Sequence, residues 1–214
     1  MNRTVSTIPM AMIVLVLTAA GMVSGCISGP TPATRFYTLT ADAKAPLQPR
    51  AANHRPLAVE VVPFRVPQYL DRPQIVTRTG SHRLELAEFH QWGGNLRKNM
   101  TRVFMQNLAA LLDTTDMRIA PSPAGEPPDV RIELEVLQFE RCEDLRVRLS
   151  VHWGLVLTAD PTLRTTRITH LQSPRIEDAS DYAAMVSAMS GLLAELSDTV
   201  ARAVSERTGG RSRA

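Results

Sequence analysis

An α+β fold is predicted: two layers, with a mostly antiparallel sheet and two amphipathic helices packed on one of its faces. Three observations predict it. Residues 92–112 and 179–206 repeat apolar side chains at helical spacing. Several shorter runs alternate apolar and polar residues with a period of two, as half-buried strands do. The order is several strands, a helix, three or four strands and a second helix. Laying both helices on one sheet face buries both apolar stripes at once.

The elements follow in order. Residues 35–40 (RFYTLT) are β-branched and aromatic and read as a first strand. Residues 41–56, rich in Ala and Pro and without a period, read as a loop. In the second strand, 57–64, Leu57, Val59 and Val61 line one face and Ala58, Glu60 and Val62 the other, with Pro63 at its end. Residues 66–73 (VPQYLDRP) form a proline-bounded irregular loop. Residues 74–78 and 84–89 read as a hairpin around Thr79-Gly80-Ser81. The helical stripe then holds Trp92, Leu96, Met100, Val103, Phe104, Leu108 and Leu111. Gly93 and Gly94 weaken its first turn and move the expected start to Asn95.

Residues 117–120 read as a short strand, and 121–128, with four prolines and a glycine, as loop. In 130–136, Val130, Ile132, Leu134 and Val136 alternate with charged residues. At Leu137 and Phe139 the apolar phase slips by one, the mark of a bulge. Leu145, Val147, Leu149, Val151, Trp153, Leu155 and Leu157 form the longest alternation. Residues 163–171 read as an edge strand, rich in Thr and Arg. The last helix, 179–206, aligns Tyr182, Met185, Met189, Leu192, Leu193, Leu196, Val200 and Val204, with Asp178 or Ser180 as its cap.

The N-terminus is organised differently. Arg3 is the only charge before an apolar run over 9–23, which is shorter than a spanning helix needs. Ser24, Gly25 and Cys26 follow. Small residues suit a signal peptidase, and a thiol after the cut suits acylation, so 1–25 reads as a lipoprotein signal and Cys26 as the lipidated residue. An ordinary secretory signal would need no cysteine there. Ile27, in place of an aspartate, favours the inner leaflet of the outer membrane. Residues 26–34 read as a tether, 35–207 as one domain and 208–214 as a disordered tail.

Removing the signal leaves about 190 residues, enough for one full core. An apolar fraction of 44% and a charged fraction of 21% are those of a globular protein. The net charge is only +3 and no Lys/Arg stripe forms, which argues against nucleic acid. With Cys26 acylated, Cys142 has no disulfide partner. The five histidines show no ligand spacing and read as solvated side chains, although His82 and His90 could meet across the hairpin. No nucleophile elbow or phosphate-binding loop is present. No cofactor or metal is expected, and the chain reads as a non-enzyme. The loop 67–73 is the surface chosen for partner binding, through Tyr69, Leu70, Asp71 and Arg72: prolines limit its freedom, and Tyr and Arg are frequent anchors. Equally, Tyr69 and Leu70 plug the sheet end while Asp71 pairs with Arg72.

RFYTL after the lipobox, VVPFRVPQYLDRPQIVTR, LELAEFHQW and NLAALL together resemble the PqiC family of ABC-type transport auxiliary lipoproteins. The likeness is strongest over 67–78 and at Trp92. Gly93-Gly94 departs from the Ala- and Pro-containing sequence of that family. The resemblance implies a role beside an MCE-type transporter that moves lipid between the two membranes of a Gram-negative envelope. The implied partners are an MCE-domain protein with its inner-membrane permease and ATPase, and the membrane through the lipid anchor, with room for a homo-oligomer. The alternative is an envelope lipoprotein with its own lipid-binding pocket or hydrolytic activity.

Overall fold

The computed structural model describes residues 32–42, 46–47, 55–122 and 126–209. The signal at 1–25, Cys26, most of the tether and the end of the tail at 210–214 lie outside them. The chain divides into Met1–Ala33 and Thr34–Ala214. Of the first unit only residues 32 and 33 are described, both exposed and irregular. The rest concerns the second.

Eight strands form a single mixed sheet: β1 (Arg35–Tyr37), β2 (Val59–Val61), β3 (Gln74–Thr79), β4 (Arg83–Trp92), β5 (Met117–Ile119), β6 (Val130–Arg141), β7 (Val147–Leu157) and β8 (Asp160–Gln172). Two helices complete the fold, α1 (Leu96–Leu112) and α2 (Tyr182–Gly209). The long ladders are antiparallel, β3 with β4, β6 with β7 and β7 with β8.

The sheet is built on β6. One edge carries β7 from Val130↔Leu157 to Arg141↔Val147. The other edge is shared by successive parts of one segment, all parallel to it: β2 at Val59↔Val130, a single bridge at Arg65↔Glu135, and β3 at Thr77↔Arg141. The sheet therefore forks, with β5 beyond β2 and β4 then β1 beyond β3. The loop 66–73 is the excursion the chain makes between the two prongs.

The predicted slip in β6 is present: the register shifts between Val136 and Gln138, and Leu137 is thrown outward. After it, Phe139 and Arg141 take the core-facing positions and are buried. The alternation of β7 buries Val147, Leu149, Val151, Trp153, Leu155 and Leu157. Leu145 is not part of that strand. It sits in the preceding turn at φ 59, where a branched side chain is rarely found.

Helix α1 begins where the glycines predict. Asn95 is its cap, and its side chain accepts from the Lys98 amide at 3.0 Å. Gly94 has φ +153, open to glycine alone without strain. Trp92 is not on this helix; it ends β4, pairs with Tyr37 and is buried there. The rest of the stripe, from Leu96 to Leu111, faces the core, and Phe104 meets Phe64 edge to face at 5.4 Å. At α2 neither Asp178 nor Ser180 is the cap: Asp181 accepts from the Ala184 amide at 2.8 Å, while Asp178 and Ser180 bond to each other in the turn before it. The helix runs through Gly209, past the predicted end, and so includes the first two residues of the expected tail. Among the described residues no helix is long and apolar enough to cross a membrane.

Candidate functional site

The loop 66–73 is held from both sides. Inside it, Leu70 and Asp71 amides donate to the Pro67 and Gln68 carbonyls at 2.9 and 3.3 Å. At its exit the Trp92 amide donates to the Pro73 carbonyl at 2.7 Å, tying the loop to the end of β4. Of the four residues singled out, two point inward. Leu70 is 2% exposed and belongs to the core. Tyr69 is partly buried, and its hydroxyl donates to Glu140 Oε2 at 2.8 Å. Asp71 is exposed and accepts from Asn95 Nδ2 at 3.0 Å. Arg72 is partly exposed, with a buried Nε that has no partner. Among the described residues no ion pair joins Asp71 to Arg72, so that part of the expected packing is replaced by the Asp71–Asn95 contact, which fastens the loop to the start of α1.

Glu140 is the residue that organises this end of the sheet, and nothing in the sequence reading singled it out. Its side chain is fully buried. It accepts four hydrogen bonds, from Tyr69, from Arg78 Nε at 2.7 Å, from Gln138 Nε2 at 3.0 Å and from the Phe139 amide at 3.0 Å. A buried carboxylate is tolerable only when paired and hydrogen-bonded, and both conditions hold. The Arg78 guanidinium lies 6.0 Å from the Tyr69 ring centroid. Burial first, and then the Glu140 charge, raise the Tyr69 phenol far above its ordinary pKa, so it remains a donor. No local signal marked it: parity after the bulge puts the polar residues Gln138 and Glu140 on the wet face, and Glu140 is buried by partners such as Tyr69 that come from 71 positions away.

A second cluster joins distant elements. Tyr37 on β1 meets His90 Nδ1 on β4 at 2.8 Å. The His90 ring stacks on Tyr182 at the start of α2, 3.9 Å between centroids. The Arg141 guanidinium lies 5.5 Å from the Tyr182 ring centroid, and Arg141 donates to the Ala179 carbonyl. His90 is thus a packed histidine rather than a solvated one. Burial, and secondarily Arg35, lower its pKa. His82 is exposed at the hairpin.

At the other prong Glu60 is buried between β5 and β6. It accepts from Ser122 Oγ and from Arg131 Nη1, each at 2.6 Å. The Ser122 hydroxyl bond, with the Ser122 amide and Arg131 behind it, outweighs burial and holds the carboxyl below the usual range. A depressed carboxylate contributes stability above its unfolded pKa, near 4.3, that is lost as pH falls through its folded value. Glu60→Gln is therefore expected to flatten the dependence of the denaturant midpoint on pH below about 4.3. An unchanged acid limb would count against the pairing.

Cys142 is buried beside a recess lined by Arg78, Gly80, Ser81, Glu143, Asp144 and Arg148. Burial pushes its thiol pKa up, and Gln138 Nε2 lies 3.5 Å from Sγ. An alkylating reagent should modify it at least roughly tenfold more slowly in the native protein than in denaturant, since the thiolate is the nucleophile. Equal rates would show that the thiol is not enclosed. A second open recess lies beside α1, lined by Tyr37, Trp92, Lys98, Asn99 and Arg102 among others. Among the described residues no cluster of three or more His, Cys, Asp or Glu could hold a metal ion.

A two-layer α+β domain with a polar-locked loop at one sheet end is the class that these features define. The profile of the ABC-type transport auxiliary lipoprotein component matches residues 37–201, so the chain belongs to that family, in agreement with the resemblance to PqiC-type sequences. The family is one of membrane-associated lipoproteins that serve a transport system. Two crystal structures share the fold. One, of an uncharacterized protein, has 21% identity and a TM-score of 0.64, covering 81% of this chain and 99% of its own. The other, a Xanthomonas campestris protein of the DUF330 family, has 13% identity and a TM-score of 0.59, covering 86% of this chain and 97% of its own. No curated protein matches the sequence.

Proposed function

We propose that this chain is a non-enzymatic auxiliary subunit of an MCE-type ABC lipid-transport system, anchored through Cys26 in the inner leaflet of the outer membrane and facing the periplasm. The observation that carries the reading is the family match over 37–201, preceded in the chain by a lipobox ending at Cys26. The partners are the MCE-domain protein and, through it, the inner-membrane permease and ATPase. The docking surface is the outer side of the loop 67–73, where Asp71 and Arg72 reach solvent on a backbone held by Leu70, Tyr69 and Pro73. A preformed loop loses little freedom on binding.

The test is affinity recovery from envelope membranes with the tagged, full-length protein. Recovery of an MCE protein with its permease and ATPase is expected. The Asp71→Ala/Arg72→Ala variant should lose most of that recovery, at least about fivefold, as truncated interface anchors do. It leaves Tyr69 and Leu70 in place but removes the Asp71–Asn95 bond, so loss of recovery is read as loss of docking only where the variant's thermal midpoint and loop amide exchange equal those of wild type. Wild-type protein that brings down no MCE partner would overturn the assignment; a variant that recovers as much as wild type would move the docking surface elsewhere.

A further inference from the structure

Eight residues, 27–34, separate Cys26 from β1. Fully extended, they reach about 30 Å. A compact domain of about 180 residues has a radius of gyration of about 16 Å and so a diameter of about 40 Å. With the anchor in the bilayer, the tether is shorter than the domain is wide. The β1 edge then stays within about 30 Å of the membrane, while the far side of the domain is beyond the reach of the tether.

That edge sets an exposed aromatic ring beside cations. Phe36 is 66% exposed, more than any other large apolar side chain described. Arg35 beside it is also exposed. Next to them lies the recess beside α1, whose lining carries two cations, Lys98 and Arg102, and no acid. Asp71 reaches its rim, where it is engaged by Asn95. Among the described residues neither Arg35 nor Lys98 forms an ion pair; Arg167, beside the exposed Ile168 on β8, forms none either, and what sets the β1 corner apart is the acid-free recess with Lys98 and Arg102 next to the ring. Cations left unneutralised around one exposed aromatic ring match the boundary of a bilayer, with phosphate outside and acyl chain within.

We propose that the corner formed by β1 and the first turns of α1 rests on the bilayer surface, with Phe36 at the headgroup–acyl boundary and Arg35, Lys98 and Arg102 against lipid phosphates. This rests on Cys26 carrying the anchor. It fixes the orientation of the domain: the β1 edge faces the membrane, and β8, at the opposite edge of the sheet, faces the periplasm. The anchor sets the distance and the corner sets the face.

The test uses the full lipidated protein reconstituted in vesicles of phosphatidylethanolamine and phosphatidylglycerol. An environment-sensitive fluorophore is attached at Phe36→Cys and, separately, at Ile168→Cys on β8, both in a Cys142→Ser background. Mass spectrometry first establishes acylation of Cys26; a chain without it fails the anchor reading, and the reach argument falls with it. On the acylated protein, the probe at position 36 should shift to the blue and be quenched by brominated lipid at least threefold more than the probe at 168. Replacing phosphatidylglycerol with phosphatidylcholine should reduce that quenching by half or more. Equal, water-like emission at both positions would overturn the proposal and give the Phe36 corner to a protein partner. Quenching at position 36 that ignores lipid charge would overturn the role of the three cations.

Discussion

Cys26→Ser is expected to abolish incorporation of labelled palmitate and to deplete the protein from the outer-membrane fraction at least tenfold. The reason is chemical: acylation needs a thiolate, and a serine hydroxyl at neutral pH does not supply one. It is also a matter of size. Each buried methylene contributes about 0.8 kcal/mol, and even one myristoyl chain gives an association constant of roughly 10,000 per molar. Two or three chains on one residue would hold the domain far more firmly than one. The first element of the folded body, β1, starts nine residues after Cys26. Thermal unfolding of its domain should therefore be unchanged by the substitution. Outer-membrane recovery equal to wild type would remove Cys26 as the anchor, and with it the localisation proposed above.

The second large effect is expected at Glu140. Glu140→Ala should lower the unfolding free energy by about 3 kcal/mol, at the low end for breaking a buried ion pair because Arg78 retains some exposure. Four donors lose their acceptor together, among them the buried Phe139 amide and the Tyr69 hydroxyl. The loss should also be local in character. Tyr69 fastens the loop 66–73 to β6, so its amides should exchange faster in the variant than those of β7. Glu140→Gln keeps one acceptor oxygen and should cost less. The measurement is urea unfolding with hydrogen exchange. A loss under 1 kcal/mol, or loop amides unchanged, would mean that the loop is held by Leu70 and the Pro73–Trp92 bond alone. Destabilisation should be matched by weaker recovery of the transport partners if the proposed docking surface lies on this loop.

The sequence by itself determined whatever depends on neighbours a few positions away. The start of α1 at Asn95 was legible because a cap and two glycines are local signals. The bulge in β6 was legible because a one-residue slip moves every later side chain to the other face. The two apolar stripes and the long alternation of β7 placed the core. Membership in the auxiliary lipoprotein family rested on runs of adjacent residues as well. Local signals also misled where two periods overlap. Trp92 fits a helical stripe by spacing, yet β1 pairs with β4 there and keeps it in the sheet. Leu145 fits the alternation of β7, yet the turn from β6 needs a residue at positive φ.

Only the tertiary structure decided which separated segments share the edge of β6. The parallel pairings of β2, Arg65 and β3 with that strand join residues 64 to 71 positions apart, and short parallel ladders leave no pattern in either partner. The same holds for Glu140, which draws Tyr69 from 71 residues away and Arg78 from 62. It holds too for the stack of His90 on Tyr182. The loop 67–73 was legible as rigid from its prolines. That Tyr69 and Leu70 plug the sheet end was one of two equal readings; the structure selects it for those two residues, and leaves Asp71 on Asn95 instead of Arg72. The direction of a side chain in an irregular loop is set by the elements it lands on, and here those come from β6 and α1.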